Sequence, residues 1–156
     1  MKADSMTKVV FRVEAEDGSI DVETSWATQV GDDEYRIENS LFFAYGVSWQ
    51  DIVRAPFSPE EERPTFESVV RKSGHRTIRA IFDPPIADGN ASEVVLSAVV
   101  GMGCSYEGAN HSYICIDIPP NVDFGAVRQF LMEKNINFEH ADPTYDELFP
   151  EGGHAA

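Results

Sequence analysis

The first half of the chain alternates apolar and polar positions with a period of two. Val9, Phe11 and Val13 alternate with Val10, Arg12 and Glu14, the pattern of a half-buried strand. Glu16-Asp17-Gly18 reads as a turn, after which Ile20, Val22, Thr24 and Trp26 alternate with Asp21, Glu23 and Ser25. Gly31-Asp32-Asp33 is a second turn before a strand over residues 34–38, and the second and third strands are expected to form a hairpin. Residues 39–45 are rich in aromatics but show no clear period, and residues 46–51 read as a turn before a strand over residues 52–55. Prolines 56, 59 and 64 with Glu60, Glu61 and Glu62 mark a loop, and alternation returns over residues 65–72. Five short strands separated by turns predict a small β-barrel-like subdomain over residues 8–72.

The second half mixes periods. Residues 76–82 read as a strand stopped by Asp83-Pro84-Pro85. A helix follows with an N-cap near Asn90, an apolar stripe of Val94, Val95, Ala98, Val99 and Met102, and stop signals at Gly101 and Gly103. Strands at residues 104–107 and 113–118 pair across Gly108-Ala109-Asn110, placing Ile114, Ile116 and Ile118 on one face and Tyr113, Cys115 and Asp117 on the other. Asp123 caps a second helix whose stripe is Phe124, Val127, Phe130 and Leu131, with Val122 and Val127 at the spacing of a hydrophobic staple. Asn135 suits the left-handed closure of that helix before a last strand at residues 137–140. The order β-α-β-β-α-β predicts a ferredoxin-like α+β subdomain over residues 75–141, followed by an acidic tail over residues 142–156.

Composition narrows the class. A hydrophobic fraction of 42% with 10 Phe and 2 Trp is enough for a packed core, so global disorder is excluded. The longest uncharged apolar run, residues 94–102, is too short to cross a bilayer, and residues 1–7 lack a signal-peptide core. The expected location is cytoplasmic, where Cys104 and Cys115 would be reduced thiols. Charge changes the picture most: 27 Asp plus Glu against 12 Lys plus Arg gives −15, shared by both halves of the chain. Such a surface repels nucleic acid and anionic membranes and steers basic partners.

Few residues promise chemistry. His75, His111, His140 and His154 are far apart, and neither cysteine forms a short-spaced ligand pair, so neither a metal nor a cofactor is expected. A cysteine–histidine couple such as Cys115 with His111 or Cys104 with His75 would need tertiary folding to assemble it. Gly101-Met102-Gly103 follows a helix, the wrong context for a dinucleotide fingerprint. The one basic concentration, Arg71, Ser73, His75, Arg76 and Arg79, is a candidate anion or small-ligand site. Acidic clusters at Asp32, Asp33 and Glu34, at Glu60, Glu61 and Glu62, and at Asp142, Tyr145, Asp146 and Glu147 are candidate partner-binding loops.

Several runs together resemble one family. They are Glu23-Thr-Ser-Trp26-Ala27, Tyr35-Arg36-Ile37-Glu38-Asn39 with Phe42-Phe43, and Gly46-Val-Ser-Trp-Gln-Asp51-Ile-Val53. Val69-Val70-Arg71-Lys-Ser73-Gly74-His75-Arg-Thr77-Ile78-Arg79 and Asp117-Ile118-Pro119 complete the set. The chain is similar over residues 9–138 to the bacterial family called domain of unknown function 4265. Leu41 stands where that pattern has a proline, which implies a looser turn before the Phe pair. The family carries no activity across. The expectation is therefore a non-catalytic acidic protein of the immunity or antitoxin kind, which binds a basic toxin domain. The alternative is a sensor holding a small ligand or nucleotide on the Arg71, His75, Arg76 and Arg79 segment.

Overall fold

Alternation at the N-terminal end becomes β1 (Met6–Glu14) and β2 (Ile20–Gly31), paired antiparallel so that Val9 lies opposite Ser25 and Phe11 opposite Glu23. The computed structural model describes residues 6–150; residues 1–5, and 151–156 at the end of the expected acidic tail, lie outside the described residues. The chain divides into two compact units, one ending at Gly74 and one starting at His75.

In the first unit β3 (Glu34–Ile37), β4 (Ile52–Arg54) and β7 (Ser68–Arg71) extend the sheet in the order β1-β2-β3-β4-β7, antiparallel throughout. Val9, Phe11, Ala27, Tyr35, Ile37, Leu41, Val47, Val53 and Ala55 form its core. The expected barrel is not there: the sheet is open. Among the described residues, the side of β1 away from β2 makes a single bridge, Val10 to Thr65, with Phe66 N–H donating to the Val10 carbonyl at 2.8 Å. Pro64, next to that bridge, has no backbone N–H to extend it. The segment expected as plain loop instead forms a tight hairpin of β5 (Phe57–Ser58) and β6 (Arg63–Pro64).

Side chains, more than ladders, fasten the long connections of this unit. The Glu23 carboxylate accepts from the N–H groups of Phe42, Phe43 and Ala44, the latter two at 3.0 and 2.9 Å. That clasp holds the turn that was expected to be loose, and Leu41 beside it is buried. Asn39 Oδ1 accepts from Trp26 N–H at 2.7 Å. Asp51, fully buried, accepts from Ser48 N–H at 2.8 Å, from Ser73 N–H at 2.7 Å, and from the Lys72 ammonium.

The second unit runs β8 (Arg76–Ile81), α1 (Ala91–Gly101), β9 (Ser105–Gly108), β10 (Tyr113–Ile118), α2 (Phe124–Glu133), β11 (Asn137–Asp142) and α3 (Tyr145–Leu148). Its sheet order is β11-β8-β10-β9, all antiparallel. Asn90 caps α1 by accepting from Glu93 N–H at 2.9 Å, and Asp123 caps α2 by accepting from Ala126 N–H at 3.1 Å. Asn135 closes α2 at φ 58°, as its side-chain chemistry favours. Ile78, Ala80, Val95, Leu96, Val99, Ile114, Ile116, Ile118, Val127 and Leu131 share one core, in which each large aliphatic contributes about 1.5–3 kcal/mol.

The tail predicted from Asp142 onward is structured at its start. β11 runs on to Asp142, and α3 begins with a reciprocal capping box between Thr144 and Glu147. Tyr145 and Phe149 then pack on His140, with ring centroids 5.5 and 6.5 Å away. Charge density suggested a solvated end, but the rings of Tyr145 and Phe149 meet His140 there, with Tyr145 still 46% exposed.

Candidate functional site

Strand alternation sorts the second unit's sheet into two chemically different faces. Ile78, Ala80, Ile114, Ile116 and Ile118 enter the helix-covered core. Thr77, Arg79 and Ile81 of β8 take the opposite face, and the register sets three rows across it. One row is Asp142, Thr77, Asp117 and Ser105; the next is Glu139, Arg79, Cys115 and Glu107; the third is Asn137, Ile81 and Tyr113. Thr77, Arg79, Cys115, Asp117 and Asp142 are all buried.

The first row holds a carboxylate–imidazole pair. His75 Nδ1 lies 2.9 and 3.0 Å from the two Asp117 oxygens, and Ser105 Oγ donates to Asp117 at 3.5 Å. Burial pushes the Asp117 carboxyl above its ordinary value, opposed by the hydrogen bond and charge of His75. The carboxylate fixes which way the imidazole ring lies, as in any base–orienter pair, and ties the first residue of the unit to the middle of its sheet. Cys104, buried near Asp117, has its thiol pushed up to about 11, chiefly by burial, which disfavours the thiolate.

The second and third rows frame a cavity of about 410 Å³ lined by Arg79, Ile81, Tyr113, Asn137, Phe138 and Glu139. The Arg79 side chain has no solvent exposure, and its Nε lies 3.4 Å from a Glu139 oxygen whose side chain is 44% exposed. Arg79 also donates to the Tyr113 hydroxyl. Burial raises the Tyr113 phenol above its ordinary value, with the Arg79 charge pulling the other way.

The basic residues singled out from the sequence are not gathered into one clamp. Arg71 is exposed at the end of β7. Ser73 donates its hydroxyl to Trp49 O at 2.6 Å and its N–H to Asp51. Arg76 and Arg79 stand three positions apart on one strand and so face opposite sides of the sheet. Arg76 donates to the carbonyls of Pro119 and Val122, both at 2.7 Å, and covers the Phe124 ring. Of the five, Arg79 lines the cavity.

The acidic residues divide likewise. Asp32, Glu60, Glu62 and Asp146 are exposed at turns or on α3. Asp33 is half-buried at φ 57° and 3.8 Å from Arg54, and half-buried Glu34 lies opposite Arg54 in the β3–β4 register. Glu61 is paired with Arg12 at 3.2 Å. Glu147 is spent on the capping box, Tyr145 on His140, and Asp142 is only 5% exposed. Asp142 therefore has no surface to offer a partner, because the strand that was expected to end at His140 continues through it.

Tyr113 was read from the sequence only as a member of a strand face, and Asn137 and Glu139 carried no signal at all. Their meaning lies in register, since Glu139 matters because it stands opposite Arg79. Among the described residues no group of three or more His, Cys, Asp or Glu is placed to hold a metal ion. No described helix is long and apolar enough to cross a membrane.

A search of curated proteins returned no match. A solved structure described as a novel crystal structure of a hypothetical protein from Neisseria gonorrhoeae is similar in fold, with a TM-score of 0.71 at 17% identity, over 90% of this chain and 96% of that one. The family profile described as a domain of unknown function, DUF4265, matches residues 23–141. That span contains the Glu23 clasp, the Asp51 knot, the His75–Asp117 pair and the cavity residues, and the chain belongs to the DUF4265 family.

Proposed function

We propose that this is a non-catalytic binding protein that takes a basic protein partner on its acidic turns, in the manner of an immunity or antitoxin-like protein occluding a cognate toxin in the cytoplasm. The observation that carries the reading is a net charge of −15 with exposed carboxylates at the tips of turns and on a short helix: Asp32 at the β2–β3 tip, Glu60 and Glu62 at the β5–β6 tip, and Asp146 on α3. Exposed charges of one sign steer an oppositely charged partner at long range. The same field disfavours nucleic acid and anionic membranes. We read the second unit as ferredoxin-like, on its β-α-β-β-α-β order and its β11-β8-β10-β9 sheet.

The test is co-expression with the products of the flanking genes, followed by association kinetics across a salt series. The expected outcome is a basic partner whose association rate falls steeply with ionic strength, and falls further on Asp32→Lys, Glu60→Lys and Asp146→Lys. No partner, or one indifferent to both salt and charge reversal, would sink the proposal.

A further inference from the structure

We propose that the cavity between the start of α1 and the β9–β10 hairpin binds a small organic ammonium ion with an apolar body. At about 600 Å³ it lies in the size range of small-molecule sites. Its apolar floor is Ile86, Leu96 and Ile114, the last two members of the unit's core. Gly108 keeps that floor open, since a Cβ there would stand 3.0 Å from Ile114 Cδ1. The walls are tied together in advance. Ile86 N–H donates to the His111 carbonyl at 2.8 Å, which fixes the segment before α1 to the hairpin. A site formed in this way pays little ordering cost on binding.

Charge decides the ligand's class. Asp88 and Glu93 line the cavity, and no lysine or arginine does. Half-buried Glu93 accepts from Gly89 N–H through one oxygen at 2.8 Å, and neither carboxylate has a cationic partner among the described residues. An ammonium ion entering there gains charge-assisted hydrogen bonds, and the −15 of the chain draws it in where an anion would be repelled. Tyr106, 47% exposed on β9, adds a ring of the kind whose face attracts cations. The aliphatic floor is what separates this site from an ordinary acidic patch, because it gives the ligand's apolar body a surface to cover. The turn carboxylates proposed for the protein partner are other residues, so either reading can fail alone.

Thermal melting and titration calorimetry with phenethylamine and tryptamine test the assignment, against phenethyl alcohol, ethylammonium and benzoate at equal ionic strength. The two aromatic amines should give a saturable rise in melting temperature, since a ligand that binds the folded state stabilises it by mass action. The alcohol lacks the charge, ethylammonium lacks the apolar body and benzoate carries the wrong sign, so none of the three should bind. Asp88 is exposed, so Asp88→Lys leaves the core untouched and should abolish the shift. Glu93→Gln keeps an acceptor for Gly89 N–H and should weaken binding by roughly fivefold or more, the difference between a charged and a neutral hydrogen bond. Tyr106→Leu should weaken it by roughly twofold to fivefold, the worth of an exposed cation–π contact. The proposal is overturned if neither amine binds saturably up to about 10 mM. It is equally overturned if any of the three controls matches the amines, or if Asp88→Lys binds them as the wild type does.

Discussion

Replacing Asp51 with alanine should destabilise the first unit more than any exposed charge change in it. Asp51 is fully buried, and its carboxylate takes the N–H of Ser48 at 2.8 Å, the N–H of Ser73 at 2.7 Å and the Lys72 ammonium. Ser48 is 1% exposed, so its orphaned N–H cannot turn to water and costs about 1–3 kcal/mol. The half-buried Ser73 N–H adds about 0.5–1.5 kcal/mol. The Lys72 contribution is small, because that side chain is 43% exposed and its charge is screened. The sum is about 2–4 kcal/mol. With a urea slope of about 1–3 kcal/mol/M, the midpoint should fall by roughly 0.7–4 M.

Both tryptophans, Trp26 and Trp49, lie in the first unit, so tryptophan fluorescence in urea follows that unit alone. Asp51→Asn, which keeps one acceptor oxygen, should cost about half as much, and Lys72→Met less than about 1 kcal/mol. The ordering is the real test. If Lys72→Met cost as much as Asp51→Ala, the stability would lie in the ion pair and the backbone argument would be refuted.

Three further outcomes are expected. Burial raises the Asp117 carboxyl above its ordinary 3.8, so its favourable contribution is full below that pH and is lost as pH rises through the folded-state value. The stability difference between wild type and Asp117→Asn, from urea midpoints, should therefore shrink from about pH 4 toward about pH 7, and a constant difference would contradict this. Burial and the Arg128 charge lower the His140 imidazole below its ordinary 6.5, so the stability it lends is full above that pH and fades as pH falls through the folded-state value. Amide exchange in α3 should accelerate on acidification and lose that dependence in His140→Phe; equal pH dependence in both would count against the packing of Tyr145 and Phe149 on that ring. Cys104, held at about 11, and the fully buried Cys115 should both resist a thiol reagent in the native protein and both react in urea. A rapidly reacting native thiol would show that the sheet opens readily.

How much was legible beforehand follows the range of the interaction. Local rules placed the Asn90 and Asp123 caps, the Asn135 closure and the alternation of β1, β2 and β10, because each depends on residues within a turn or on a period of two. The same rules could not see the open first sheet, since whether β7 reaches β1 depends on pairing between segments far apart in the chain. Likewise, Ser73 and His75 read as part of a candidate ligand site, and tertiary structure showed their polar atoms serving Trp49, Asp51 and Asp117.

The sequence by itself determined the order of the longer strands and of α1 and α2, though not the β5–β6 hairpin or α3, and a net charge of −15. Which charges face solvent was decided only on folding. Arg79 became buried beside Tyr113 and opposite Glu139, and Asp142 became the buried end of a strand. Pairing register carries that information, and register is fixed by the burial of whole faces rather than by any residue's neighbours in the chain.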